Sequence, residues 1–254
     1  MSIGPEVSVV IVSHGQTYLV KRLLLSLHEA DAMPCLEIII IENDRRGATE
    51  FESSADLPIS YFVNNHPKGY AANVNAAFSQ ASGRFYCTIN PDVVILQDTF
   101  APLMEDIREG RGDIVAPAVV DHRDRLQDSA RNLPTPWSLI LRRLMPGRFL
   151  PANIEDLPEH PDWIAGMLLL MESKLFEELG GMDERFFLYF EDVDFCSRAR
   201  LAGHQLFLNR KLRIRHEARR RSRRELRYAA WHLTSGYRFF RSDVYRKARR
   251  LKSA

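Results

Sequence analysis

A chain of 254 residues can bury a full core in one large domain, and 45% apolar with 27% charged residues is ordinary for a globular protein rather than a disordered or fibrous one. The net charge of +2 hides an asymmetry: residues 205–254 hold 17 Lys+Arg against 3 Asp+Glu, whereas residues 1–204 hold 18 against 30. Cys35, Cys87 and Cys196, odd in number and far apart, exclude a disulfide framework and a Cys-x-x-Cys zinc site, and the apolar run 164–171 is far short of the ~20 residues of a membrane-spanning helix.

Val7-Ser8-Val9-Val10-Ile11-Val12 predicts a buried strand ending at Ser13, followed by a helix amphipathic through Leu19, Leu23, Leu24 and Leu27. No signal peptide is expected before so early a strand, which points to the cytoplasm. A second buried strand ends at Glu42 and a third, 59–63, at Asn64-Asn65. Strand, helix and strand at this spacing predict an α/β fold with a mostly parallel central sheet flanked by helices. Ligands of such sheets bind beyond the carboxyl ends of the strands, so Ser13, Glu42 and Asn65 are candidates for one crevice. For Glu42 a solvated strand end is an equal alternative. Neither Gly-x-Gly-x-x-Gly nor a P-loop is present, which disfavours dinucleotide and P-loop chemistry.

Pro67-Lys68-Gly69-Tyr70-Ala71-Ala72-Asn73-Val74-Asn75 turns into a helix, with Asn73 as a cap. The strand 85–89 stops at Asn90-Pro91-Asp92, a turn whose carboxylate could hold a hard cation. A strand over 113–119 precedes Leu126-Gln127-Asp128-Ser129-Ala130-Arg131, a helix through Trp137, Leu139, Ile140 and Leu144, and a long lid-like loop over 145–162. Residues 162–170 read as one strand in which Ala165-Gly166 admits a substrate close to the backbone. Gly180-Gly181-Met182-Asp183-Glu184-Arg185-Phe186-Phe187-Leu188-Tyr189-Phe190 leads into Glu191-Asp192-Val193-Asp194 and a helix that stops at Gly203, with Asp194 spaced to hold Arg198. Carboxylates buried behind an aromatic run suit general-base work. A short strand at 206–208 and an alternating segment 212–216 lead to His216. The cluster Arg219–224 then precedes a basic helix striped by Leu226, Ala230, Leu233, Tyr237, Phe240 and Val244. That helix suits packing on the body, a homodimer seam, or an anionic lipid surface. No nucleic-acid module accompanies it, and no nucleic-acid partner is expected.

The stretch from Gly180 to Arg198 resembles the Glu-Asp region of inverting family-2 glycosyltransferases, and most of all their rhamnosyltransferase-like branch. The other landmarks follow that family's order over about residues 7–216. The resemblance implies a GT-A fold over residues 1–218, with 219–254 as a basic amphipathic extension. It implies Asp192 as the base that activates the acceptor, and Glu191 as its orienting or acceptor-binding neighbour. Asp92 and His216 become ligands of Mg2+ or Mn2+, with Asn90 standing where the stricter motif has Asp. Ser13, Glu42, Lys68, Asn75, Asn90, Asp92 and Arg131 would face the nucleotide-sugar donor, and Trp163, Ala165 and Gly166 the acceptor. The implied donor is dTDP-L-rhamnose, with a UDP-hexose as alternative. The implied acceptor is a lipid-linked or glycan molecule in bacterial surface-polysaccharide synthesis, at the inner face of the cytoplasmic membrane. A non-catalytic nucleotide-sugar-binding subunit is the rival reading.

Overall fold

The computed structural model describes residues 4–30, 36–45, 58–217 and 226–251. Arg219–224 and Cys35 lie outside them, and Cys87 and Cys196 are buried free thiols. The three opening strands form as expected, β1 (Val7–Ser13), β2 (Leu36–Glu42) and β3 (Ile59–Val63), with α1 (Thr17–Glu29) between the first two. There follow α2 (Tyr70–Phe78), β4 (Phe85–Ile89), β5 (Val93–Ile95), α3 (Phe100–Arg108), β6 (Ile114–Val120), β7 (Ala130–Arg131) and α4 (Pro136–Leu144). The chain continues through β8 (Trp163–Ile164), β9 (Leu168–Glu172), α5 (Ser173–Glu178), α6 (Glu191–Leu201), β10 (Leu206–His216), α7 (Leu226–Arg241) and α8 (Asp243–Leu251).

Eight strands make one sheet in the order β3-β2-β1-β4-β9-β6-β10-β5, parallel from β3 to β4 and between β6 and β10. Antiparallel β9 is inserted between β4 and β6, and antiparallel β5 closes the far edge on β10. The β-branched runs are buried on both faces, because side chains alternate along a strand and helices cover each side. Val9, Ile11, Ile38 and Ile40 pack with Val20, Leu23 and Leu27 of α1 and with Leu103 of α3. Val10, Ile39 and Ile41 share the opposite core with Ala71, Val74 and Ala77 of α2 and with Phe195 and Ala199 of α6.

Several expectations are corrected. The strand expected over 162–170 is two strands: β8 pairs with β7, and β9 enters the main sheet. The backbone between them is diverted because Ala165 N donates to Ser129 O (2.8 Å) and Met167 O accepts from Asn90 N (2.9 Å). The segments 206–208 and 212–216 are one strand with an irregularity between Asn209 and Arg213, where Asn209 binds Lys211 N (3.0 Å) and Asp106 (2.7 Å) through its own side chain. The loop 145–162 carries two short 3-10 turns, Pro146–Phe149 and Ile154–Asp156.

The largest correction concerns the C-terminal stripe. The helix breaks at Ser242, whose hydroxyl donates to Phe239 O and accepts from Tyr245 N. Leu226, Leu233 and Tyr237 are 91%, 73% and 63% exposed, while Ser235, Gly236 and Phe239 are buried. Leu226, Leu233 and Tyr237 of the stripe face outward, whereas Phe240 and Val244 pack on the core, and Gly236 lets the helix approach the ring of Phe190 closely.

Candidate active site

The strand ends gather one wall of the crevice. Glu42 is fully buried there: its carboxylate accepts from the Ser13 hydroxyl (2.7 Å) and from the backbone N–H groups of Gly15 and Asp44 (both 2.9 Å). Ser13 and Glu42 thus bond to each other and to the loop that follows β1, which fixes this wall of the crevice. Asn43, Asn64 and Asn73 form a second linked set that also holds the backbone of Lys68, through Asn43 Oδ1 and Nδ2 (both 2.8 Å). The Lys68 side chain projects, exposed, from this rigid support.

The Asn75 amide donates to Met182 O (2.8 Å) and accepts from Met182 N (2.9 Å), so it anchors the Gly-Gly turn. Gly181 has φ of +71°, and a Cβ there would lie 2.6 Å from Asn75 Oδ1. Gly69 is required by a second close approach, since its Cβ would fall 2.9 Å from Phe187 Cα. Through these two contacts α2 grips the aromatic run on both sides.

Asp92 follows β4 and His216 ends β10, and antiparallel pairing of β5 with β10 brings them together. His216 Nε2 lies 3.3 Å from Asp92 Oδ1, and both side chains are largely buried. Gln127 fixes the imidazole from behind, with Oε1 3.2 Å from His216 Nδ1 and Nε2 donating to His216 O (2.7 Å). A polar group that orients the ring in this way leaves Nε2 available to a cation. Among the described residues no group of three or more His, Cys, Asp or Glu could hold a metal. One carboxylate and one oriented imidazole fit a cation whose remaining ligands are substrate oxygens. Asn90 adjoins the pair, its backbone N–H tied to Met167 O. Gln127 carried no distinct signal in the sequence.

Asp192 is reached from the same Met167 turn. Its Oδ2 accepts from Gly166 N (3.1 Å) and its Oδ1 from Val193 N (2.8 Å), while the side chain keeps a path to solvent. Burial raises its pKa, and the two backbone donors oppose that by stabilising the anion. Glu191 is only 8% exposed, and its Oε2 has no hydrogen-bond partner. Burial and then the charge of Asp192 push the Glu191 carboxyl well above its ordinary value. Burial thus raises both carboxyls, and Asp192 is the one whose charged form is favoured by the backbone N–H groups of Gly166 and Val193. Tyr70, whose hydroxyl is also raised by burial and then by Glu191 and Asp192, adjoins them. The aromatic-after-glycine pattern at Gly69-Tyr70 was the available signal for it. Asp194 pairs with Arg198 (2.8 Å) as its spacing predicts.

The turn that presents the carboxylates is strained. Tyr189 and Phe190 both have φ of +68°, a conformation costing about 1–3 kcal/mol for each non-glycine residue. Helix α7 holds it in place. Ser235 donates to Leu188 O (2.9 Å), Phe187 stacks on Trp231 (4.8 Å), and Tyr189 meets His232 (5.2 Å). Phe190 packs among His232, Phe239 and Phe240, and a Cβ on Gly236 would come within 3.2 Å of its ring.

On the remaining side Arg131 binds Asp128 through its backbone oxygen (2.6 Å) and carboxylate (3.1 Å), and lies over the Trp163 ring at 5.0 Å. Burial lowers the Arg131 pKa, while Asp128 and Asp192 help to keep it charged. Trp163 is buried and donates its indole N–H to Asn132 O (3.1 Å), serving as the shelf under Arg131. Ala165 and Gly166 remain partly open beside Asp192.

A family model described as Glycosyl transferase family 2 matches residues 8–180. The rhamnosyltransferase WbbL of Escherichia coli (strain K12) is 25% identical over 250 residues, covering 92% of each chain. An N-acetylglucosaminyl-diphospho-decaprenol L-rhamnosyltransferase of Mycobacterium tuberculosis is 25% identical over 218 residues, 77% of this chain and 70% of that protein. Among solved structures, a mannosyltransferase from Pyrobaculum calidifontis in complex with GDP-Man and Mn2+ superposes with a TM-score of 0.60 at 18% identity, covering 91% of this chain and 60% of that one. TarS of S. aureus with UDP-GlcNAc gives 0.61 at 14%, covering 94% and 67%. These structural likenesses establish the GT-A fold, and the sequence match spans more than half of the chain, which belongs to glycosyl transferase family 2.

Proposed function

We propose that the protein is an inverting glycosyltransferase that moves L-rhamnose from dTDP-L-rhamnose onto a lipid-linked acceptor in surface-glycan synthesis. The observation that carries this reading is the adjacent carboxylate pair, in which the partly exposed Asp192 accepts hydrogen bonds from Gly166 N and Val193 N, donors that favour its charged form. Asp192 takes the proton of the acceptor hydroxyl as that oxygen attacks the anomeric carbon, and the neutral Glu191 avoids adding a second charge beside it. Lys68 reaches the donor diphosphate from its asparagine-braced backbone. Asp92 and His216 would hold Mg2+ or Mn2+, which would supply positive charge to the departing nucleotide diphosphate. Positive charge developing on the sugar ring is met by the Asp192 carboxylate.

The choice of rhamnose is supported by the two rhamnosyltransferases that align with most of this chain, and the lipid-linked acceptor by the diphospho-decaprenol substrate in the name of one of them. No helix among the described residues is long and apolar enough to cross a membrane. Contact with a membrane surface would fall to α8, whose Arg246, Lys247, Arg249 and Arg250 are exposed and suit anionic lipid. The test is transfer from radiolabelled dTDP-rhamnose or UDP-glucose to a synthetic N-acetylglucosaminyl-diphosphoprenyl acceptor with Mg2+. Rhamnose incorporation is expected. Glucose incorporation alone would overturn the donor assignment, and an absence of transfer from either would overturn the reading.

A further inference from the structure

A groove of about 670 Å3 runs between α4 and α7, with Ala165, Met167 and Arg131 at its inner end. That end adjoins Gly166, whose N–H holds Asp192, so whatever fills the groove meets the base. Its walls carry two unlike chemistries. Leu139 and Ile140 of α4 face Leu233, Tyr237 and Phe240 of α7, while Arg131, Arg142 and Arg143 are the cationic lining. Asp128 is the one carboxylate among the lining residues, and it is bound to Arg131 and Arg142. Three guanidiniums against one carboxylate leave the groove two positive charges in excess, and Arg143 has no ion pair among the described residues.

Among the described residues, eight of the fifteen exposed large apolar side chains lie on 137–150 or on α7. Of these, Ile140 and Leu150 line one side of the groove and Leu233 and Tyr237 the other. A ligand suited to this surface needs a compact group of about two negative charges near the base and an apolar chain leading outward. A glycan alone has neither part, and a nucleotide sugar lacks the chain.

We propose that the α4–α7 groove binds the diphosphate and the first isoprene units of a polyprenyl-diphosphate acceptor, with Arg143 on the diphosphate and Ile140, Leu233 and Tyr237 along the chain. The inference rests on the transferase reading and adds the place and residues through which the acceptor is recognised. The sugar attached to the diphosphate then extends past Arg131 to Asp192. This also accounts for the exposure of Leu233 and Tyr237 on α7.

The test uses the full chain with its donor wall saturated by dTDP and Mg2+, titrated calorimetrically with farnesyl diphosphate, farnesol and inorganic pyrophosphate. Farnesyl diphosphate is expected to bind at least about tenfold more tightly than either of its parts, and Arg143→Ala and Leu233→Glu each to weaken it about tenfold. Both side chains are exposed, so the variants keep the core intact. Equal binding of farnesol or of pyrophosphate, or unchanged affinity in both variants, would overturn the proposal. A separate titration of the wild type with dTDP-rhamnose and UDP-glucose in Mg2+ examines the transferase reading; failure of that titration leaves the prenyl result interpretable, and the reverse holds as well.

Discussion

The two walls of the crevice differ in how far each is finished. On the donor wall Ser13 is matched to Glu42, Asn43 to Asn64 and Asn73, and His216 to both Asp92 and Gln127. The acceptor wall keeps a strained turn at Tyr189-Phe190, an unpartnered Glu191 Oε2, an unpartnered buried Ser129 hydroxyl and a cationic groove rimmed by exposed apolar side chains. Buried polar groups are costly unless satisfied. On the proposed reading the donor wall has most of its polar side chains paired before substrate arrives, with Asp92 and His216 left for a cation, and the acceptor wall is held by α7 in a form that its substrate finishes.

That contrast breaks most sharply at the base. Asp192→Asn should lower transfer by roughly 100- to 10,000-fold, the usual contribution of a general base, and a rate assay with saturating donor checks it. A rate within a few-fold of wild type would remove Asp192 from that role. Next in size, Asp92→Ala should weaken Mg2+-dependent donor binding by about 10- to 100-fold, read by calorimetry, while leaving metal-free binding unchanged.

A substitution in α7 separates the walls without touching either carboxylate. Gly236→Val should push on the Phe190 ring and lower kcat about tenfold with the donor KM unchanged, because a 1 Å displacement of a reacting group is costly. Ser235→Ala, which loses only the bond to Leu188 O, should cost about 1 kcal/mol of stability in a denaturant melt. A rise in donor KM without loss of kcat would contradict the positioning role of the helix.

The smallest effect concerns Glu191. Because the fold holds its carboxyl protonated above the ordinary glutamate value, the folded chain binds more protons there than the unfolded chain, and stability falls as pH rises through that window. Glu191→Gln removes this dependence and mimics the neutral acid. Its Tm should exceed that of wild type by a margin that widens from pH 5 to pH 9, with transfer changed by no more than about threefold. A margin independent of pH would show that Glu191 is ionised in the fold.

Much of this was legible in the residues. Asp194 with Arg198 followed from helical spacing, whereas the pairing of Asp92 with His216 and the choice of Asp192 over Glu191 rested on the resemblance to family-2 glycosyltransferases and not on spacing. The sheet was legible because runs such as Ile38 to Ile41 need cover on both faces. The fates of Glu42 and Asn75 were not, since a polar side chain's partner is set by chain brought from elsewhere: Met182 for Asn75, and β1 for Glu42. The docked face of α7 was hidden for a related reason. Spacing alone selects the largest apolar residues, whereas contact with Phe190 selects Ser235 and Gly236.

The most direct test of the divided crevice is a calorimetric titration of dTDP-rhamnose into wild type and Asp192→Asn, first with Mg2+ and then with EDTA. The account expects equal affinities in the two proteins with Mg2+ and a large loss in both with EDTA. Unequal affinities with Mg2+, or binding indifferent to EDTA, would contradict a donor wall that is complete without the base and organised around Asp92 and His216.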